Sequence, residues 1–159
     1  MVSTAIDATA AIEGLRAWRG RLRARFRDGF VQSAAALLAL VRAKLSGEVL
    51  QARSGALRAS MRADVAETRA GFDLRVASDG SVAYARIQEY GGRIAVPEIA
   101  PRNAKALVFA YGGRVVFAKA ARAHAVNIPE RSYMRSSLED FAPVFADSIR
   151  RITADETGA

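Results

Sequence analysis

The chain has 159 residues, of which 51% are apolar, and it contains no cysteine and one histidine. This composition predicts a folded core and excludes disulfide scaffolds, cysteine-ligated metals, cysteine nucleophiles and multi-histidine sites. The formal net charge is +8, and 21 of the 24 basic residues are arginine, which indicates contact with anionic surfaces. Residues 1–62 carry 11 basic and 4 acidic side chains, so nearly all the excess charge lies there. The longest apolar run, 34–41, is too short to cross a bilayer, so no membrane partner is expected.

The first predicted element is one long amphipathic helix from about Ala8 to Leu45. Its apolar residues recur at steps of three or four, which places them on one stripe. They are Leu15, Trp18, Leu22, Phe26, Phe30, Ala34, Leu37, Val41 and Leu45. Asp7 is the predicted N-cap, and Gly47 is the predicted glycine at the C-terminal end. We assign residues 1–47 to a basic helical arm and residues 48–159 to an α+β domain.

Arginines crowd this predicted helix, and no acidic residue lies between Arg16 and Arg27. Four of them recur at steps of 3, 4 and 4, so they share a face, which we predict to lie opposite the apolar stripe. These four are Arg16, Arg19, Arg23 and Arg27. Like charges at this spacing repel each other, so an anionic partner would stabilise the face. An acidic protein surface and duplex DNA are both open as that partner.

Short elements follow the long helix. Ser54 is the predicted cap of a helix of about two turns, and two alternating segments, 63–68 and 72–77, then predict a pair of strands. The link Arg69-Ala70-Gly71 is short enough to join them as a hairpin. Another short helix is predicted over 82–90.

Two stretches are predicted to be irregular. Residues 93–104 are expected to form a long loop because Pro97 interrupts regular pairing, and Arg93 and Arg102 keep this loop polar. Loops of this length in a small domain are usually functional or disordered. Residues 120–127 form the second irregular stretch.

A second hairpin and a final helix complete the chain. Segments 106–111 and 114–119 flank Gly112-Gly113, a signal for a tight two-residue turn. The helix is predicted over 132–152, and Pro143 is expected to kink or split it. The elements together predict an α+β fold with a long N-terminal helix, a small antiparallel sheet of about four strands packed with short helices, and a C-terminal helix.

No group of side chains predicts catalysis, a metal site or a cofactor. His124 has no second metal-ligand type near it in the sequence. Glu139 and Asp140 are adjacent, so on a helix they diverge by about 100° and cannot readily share one site. The glycine pairs at 91–92 and 112–113 lack the pattern of a phosphate-binding loop. We therefore expect no enzyme and no cofactor.

Several blocks resemble a family of bacteriophage proteins. Residues 45–60, L-S-G-E-V-L-Q-A-R-S-G-A-L-R-A-S, are similar to the L-S-G-x-V-L-x-x-R-T-G-x-L-R-x-S stretch of phage tail-completion and head–tail joining proteins. Residues 84–92, Y-A-R-I-Q-E-Y-G-G, resemble the family's Y-A-x-I-x-E-[FY]-G-G. Residues 128–135, I-P-E-R-S-Y-M-R, resemble its I-P-x-R-P-[FY]-[LM]-R, with Ser132 where proline is usual. The strands around Gly112-Gly113 fall between these blocks, and the resemblance covers about residues 45–140.

The resemblance implies a structural virion protein of a long-tailed phage or phage-like particle, such as a prophage or gene transfer agent. It implies a ring, sixfold, at the neck or tail end, through which DNA passes. The implied partners are other copies of the chain and neighbouring neck, tail-terminator or tail-tube proteins, in the virion and, during assembly, in the host cytoplasm. Tail completion, tail termination and head–tail joining all stay open. The competing hypothesis is a nucleic-acid-binding regulator, motivated by the arginine-rich helix.

The predicted partner interface combines the arginine face with basic residues of the loops. Arg131 and Tyr133 are expected to fix the start of the last helix against the helix over 84–90. The complete predicted set is Arg16, Arg19, Arg23, Arg27, Arg93, Arg102, Arg131 and Tyr133.

Overall fold

The computed structural model describes residues 8–48, 55–102 and 104–157, so the predicted caps Asp7 and Ser54 lie outside the described residues. Helices and antiparallel strand pairs make up the described chain, which confirms the predicted α+β class. The helices are α1 (Thr9–Ala43), which continues into a π-helical turn (Lys44–Glu48), α2 (Ala56–Ser60), α3 (Ala85–Tyr90) and α4 (Tyr133–Thr157). The strands are β1 (Met61–Glu67), β2 (Phe72–Ser78), β3 (Gly92–Val96), β4 (Leu107–Tyr111), β5 (Arg114–Ala118) and β6 (His124–Ile128).

The described residues separate into two compact units. One contains the residues up to Ala83 and those from Tyr133 onward, and the other contains Tyr84–Ser132. The predicted division between residues 47 and 48 does not coincide with this boundary. The reason is that the second half of α1 packs against α4 and against the β1–β2 hairpin, and so belongs to a core rather than to an arm.

The first unit is organised around the apolar stripe of α1. Its buried positions, Gly29, Ser33, Ala34, Leu37 and Val41, follow the predicted steps of three and four. The same core includes side chains from the π-helical turn, α2, β1 and α4. The buried apolar residues are Ala34, Leu37, Val41, Leu45, Leu57, Met61, Tyr133 and Phe141.

The β1–β2 hairpin confirms the first predicted strand pair. The strands are antiparallel, with a register that runs from Met61 opposite Ser78 to Glu67 opposite Phe72. Half-buried residues alternate with exposed ones along β2, as a sheet with one covered face requires. At the tip, Thr68 donates its N–H to the carbonyl of Gly71 at 2.8 Å and closes the link.

Aromatic side chains join α4 to α1 and to the hairpin. The ring centroid of Phe30 lies 5.3 Å from that of Phe145 and 5.5 Å from that of Phe72. Phe141 and Phe145 stack at 5.9 Å on α4. Both flank Pro143, and α4 runs through this proline without division, so the predicted split is wrong.

The second unit contains α3 and two antiparallel strand pairs. β3 pairs with β6, from Gly92 opposite Ile128 to Val96 opposite His124. β4 pairs with β5 around Gly112-Gly113, whose φ angles of 56° and 76° are both positive. Two positive φ angles are the mark of a primed hairpin turn, which confirms that prediction.

Two predictions about the strands need correction. The stretches 93–104 and 120–127 were expected to be irregular, but β3 and β6 lie there and pair across the intervening hairpin. Pro97 does not interrupt the pairing because it follows the last residue of β3. The single sheet of about four strands is also wrong: the six strands of the described chain form three separate two-stranded sheets.

Candidate partner-binding groove

A groove with a volume of about 660 Å³ lies in the first unit. One wall is α1 between Arg19 and Phe30, another is α4 at Phe145 and Ile149, and the hairpin link contributes a third. The lining residues are Arg19, Leu22, Arg23, Phe26, Phe30, Arg69, Ala70, Gly71, Phe72, Phe145 and Ile149. The groove is open to solvent, so a segment of another molecule can enter it from outside.

The groove has an apolar lining that the fold covers only in part. Leu22, Phe26, Phe72, Phe145 and Ile149 are all half-buried. These side chains retain accessible apolar surface, and its transfer out of water is favourable by about 25 cal/mol per Å² before the costs of association are subtracted. The lining therefore favours an apolar occupant.

The apolar stripe of α1 continues beyond the groove toward the N-terminal end of the helix. Ile12, Leu15 and Trp18 lie on this stripe and are exposed. Every described residue of α1 up to Arg21 is exposed. The groove and the exposed stripe thus form one elongated apolar surface, which we call the α1 seam.

Three arginines lie beside this apolar surface. Arg23 forms an ion pair with Glu67 of β1, and its guanidinium carbon lies 5.9 Å from the ring centroid of Phe72. Arg19 and Arg69 also line the groove, and both are exposed. Within the described parts of the chain, neither makes an ion pair or hydrogen bond. Two cationic groups are therefore available to an occupant.

The prediction that the arginine face lies opposite the apolar stripe is wrong. Arg19 and Arg23 line the groove together with Leu22 and Phe26. The spacing explains this, because Arg19 precedes Leu22 by three residues and Arg23 precedes Phe26 by three, so each arginine lies one turn from an apolar residue on the same side.

The other two arginines of the predicted face, Arg16 and Arg27, are exposed and do not line the groove. Arg69 lines the groove but was not among the predicted interface residues. The sequence placed it in a hairpin link, and nothing in the local pattern connects that link with α1.

Three of the remaining predicted interface residues belong to the second unit, and Tyr133 begins α4. Arg93, Arg102 and Arg131 are exposed in the second unit, where the backbone N–H of Arg131 donates to the carbonyl of Gln88 at 3.0 Å. This backbone bond, rather than the Arg131 guanidinium, ties the segment to α3. Tyr133 is only 2% exposed, so it is a core residue at the start of α4 and not a surface contact.

The single histidine of the chain, His124, is the first residue of β6 in the second unit. His124 is exposed, and its Nδ1 lies 3.1 Å from the carbonyl of Arg122. No three acidic or histidine side chains of the described residues are grouped as a metal site would require. The helices that the structure describes include none with the length and apolar character needed to cross a membrane.

Comparison with known proteins gives no relative. No protein-family model, no curated protein and no solved structure matches this chain at a significant level. The features that point to a function are therefore the chain's own surfaces and its sequence blocks 45–60, 84–92 and 128–135.

Proposed function

We propose that this chain is a structural protein of a long-tailed phage or phage-like particle. In this proposal the chain is one subunit of a sixfold ring at the neck or tail end of the particle. The ring completes the tail or joins the tail to the head. The resemblance of residues 45–60, 84–92 and 128–135 to tail-completion and head–tail joining proteins motivates the role. The surface of the second unit is the single observation that carries it.

That surface is the β4–β5 hairpin, whose two faces are both apolar and both exposed. Val108 and Phe109 are neighbours on β4, so they point to opposite faces, and they are 61% and 42% exposed. Tyr111, Val115 and Phe117 are exposed as well. An isolated two-stranded hairpin is marginally stable in water, and exposed apolar patches of this kind mark interaction sites. A neighbouring subunit in a ring would cover both faces.

Electron microscopy of purified particles tests the proposal. We expect density for this chain in a ring at the neck or tail end, and loss of completed particles when its gene is deleted. The Phe117→Ser variant should reduce incorporation about tenfold, because an exposed aromatic anchor is lost. Ala110→Ser, at an exposed small residue of the same hairpin, should incorporate normally. Absence of the chain from purified particles would overturn the proposal.

The alternative is a nucleic-acid-binding regulator. It is favoured by six arginines between residues 16 and 27 with no acidic residue among them. In that case the isolated protein would shift one duplex sequence in preference to others, with an affinity that falls steeply as salt rises. Binding without sequence preference, together with incorporation into particles, would favour the structural role.

A further inference from the structure

We propose that the α1 seam, which includes the groove, binds an acidic amphipathic helix of a different protein. The inference rests on the proposed function only in placing that protein next to this chain in the particle. The apolar face of the partner helix would cover Leu22, Phe26 and Ile149, and its carboxylates would meet Arg19 and Arg69.

The shape of the site favours a helix as the occupant. Two of its walls are helices, α1 and α4, and the apolar surface continues along α1 from Phe30 back to Ile12. The stretch of α1 from Ile12 to Phe30 is about 27 Å long, because a helix rises about 1.5 Å per residue over these 18 steps. An amphipathic helix can contact such a surface through apolar residues at three- and four-residue spacing. A compact ligand would fill the groove but leave Leu15 and Trp18 exposed.

The charge of the site favours an acidic occupant. Arg19 and Arg69 have no ion pair or hydrogen bond among the described residues, whereas Arg23 already neutralises Glu67. Carboxylates of a partner would form charge-assisted hydrogen bonds with the two available guanidinium groups. They would also reduce the repulsion among the α1 arginines, which lie one turn apart.

The same features disfavour two other occupants. The α1 seam of a second copy carries the same arginines, so pairing two such seams would bring like charges together. Duplex DNA could meet the arginines through its phosphates, but it would leave the aromatic lining in contact with water. An acidic amphipathic helix satisfies both the charge and the apolar surface.

The first experiment reverses the two available charges. The double variant Arg19→Glu/Arg69→Glu removes no ion pair or hydrogen bond of the described structure, so it should fold normally by circular dichroism. We expect its incorporation into particles to fall at least tenfold, because two like charges would then face the partner's carboxylates. Arg21→Glu is the matched control: it lies on the same helix, is exposed and is outside the groove. It should incorporate within about twofold of the unmodified chain.

The second experiment identifies the occupant. In one variant, the photo-crosslinking residue p-benzoylphenylalanine replaces Ala70, which lines the groove. In a control variant it replaces Ala24, an exposed residue of α1 that does not line the groove. Irradiation of purified particles should join Ala70→p-benzoylphenylalanine to one segment of another protein, with net negative charge and apolar residues at helical spacing. The Ala24 position should not give this product. Replacing the acidic residues of that segment by arginine should restore incorporation of the double variant.

The outcomes separate this inference from the proposed function. If the chain is present in the ring and the double variant incorporates normally, the groove inference fails while the structural role stands. A crosslink from position 70 to a second copy of this chain, to DNA or to a basic segment also overturns the inference. If the unmodified chain is absent from particles, the proposed function fails.

Discussion

At the scale of single residues, Lys44 and Asp140 form an ion pair whose two ends differ in burial. Lys44 Nζ lies 2.5 Å from Asp140 Oδ2, and the side chains are 10% and 61% exposed, respectively. Removing the carboxylate leaves a buried ammonium group without its partner, whereas removing the ammonium leaves a carboxylate that water can solvate. The two ends of the pair should therefore respond differently to substitution.

We expect Asp140→Asn to lower the free energy of unfolding by about 1–2 kcal/mol and Lys44→Met to lower it by less than about 1 kcal/mol. Methionine keeps the apolar stem of the lysine and leaves no buried charge. Urea denaturation of both variants measures the difference. If Lys44→Met is the more destabilised variant, the burial argument is wrong.

Asp79, at the turn after β2, has a carboxyl group whose pKa is lowered in the folded protein. Its pKa lies below the ordinary aspartate value, chiefly because the side chain of Ser81 hydrogen-bonds to the carboxylate, helped by the Ser81 N–H and by Arg62. Because the folded-state pKa is lowered, this carboxylate stabilises the fold above the unfolded-state pKa of about 3.9. That contribution is lost as the pH falls through the folded-state pKa.

An NMR titration tests these causes. Ser81→Ala and Arg62→Gln should each raise the pKa of Asp79 toward its ordinary value, because each removes a group that favours the charged carboxylate. An unchanged pKa in both variants would contradict these causes.

At the scale of elements, the glycines of α1 differ in what surrounds them. A Cβ at Gly20 would meet nothing within 4 Å, whereas a Cβ at Gly29 would overlap Cδ1 of Ile152 on α4. Alanine gains about 1 kcal/mol over glycine inside a helix. We expect Gly20→Ala to raise helix content without lowering the melting temperature.

Gly29→Ala should melt below Gly20→Ala, because the end of the Ile152 side chain must move to make room for the added Cβ. Circular dichroism melts of the two variants make the comparison. Equal gains at both positions would contradict the packing seen between Gly29 and Ile152.

Helix α4 contains a proline that its packing tolerates. Pro143 has no N–H to donate to the carbonyl of Glu139, yet the helix continues to Thr157. We expect Pro143→Ala to restore this hydrogen bond and to raise the free energy of unfolding by about 1–3 kcal/mol. Chemical denaturation measures the gain. An unchanged or lower stability would show that the proline shape itself is needed for packing.

At the scale of the whole molecule, the sequence predicts what depends on near neighbours. The steps from Ala34 to Leu37 and Val41 identified the buried face of α1, and Gly112-Gly113 identified a primed hairpin turn. Both predictions depend only on residues that are close in sequence, within two helical turns in α1 and within a single hairpin at Gly112-Gly113. The α+β class follows from such local signals.

These local patterns do not predict which segments that are distant in sequence lie together in the fold. β3 and β6 pair although about 30 residues separate them, and each segment is only five residues long and mostly exposed. For the same reason Arg69 was missed at the groove. Its position depends on how the hairpin packs against α1, which no repeat in the sequence records.

The division of the chain into units has a consequence for the order of events during synthesis. Part of the apolar stripe of α1 is covered by α4, yet the whole of Tyr84–Ser132 is translated between them. The first unit therefore cannot complete its core until α4 has left the ribosome, and the part of the α1 stripe that α4 covers stays accessible to chaperones until then. The second unit is continuous, so its strand pairs can form earlier. Nascent chains stalled before Tyr133 emerges should remain protease-sensitive in α1, and chains stalled after α4 emerges should be protected; protection of α1 in the shorter chains would contradict this order.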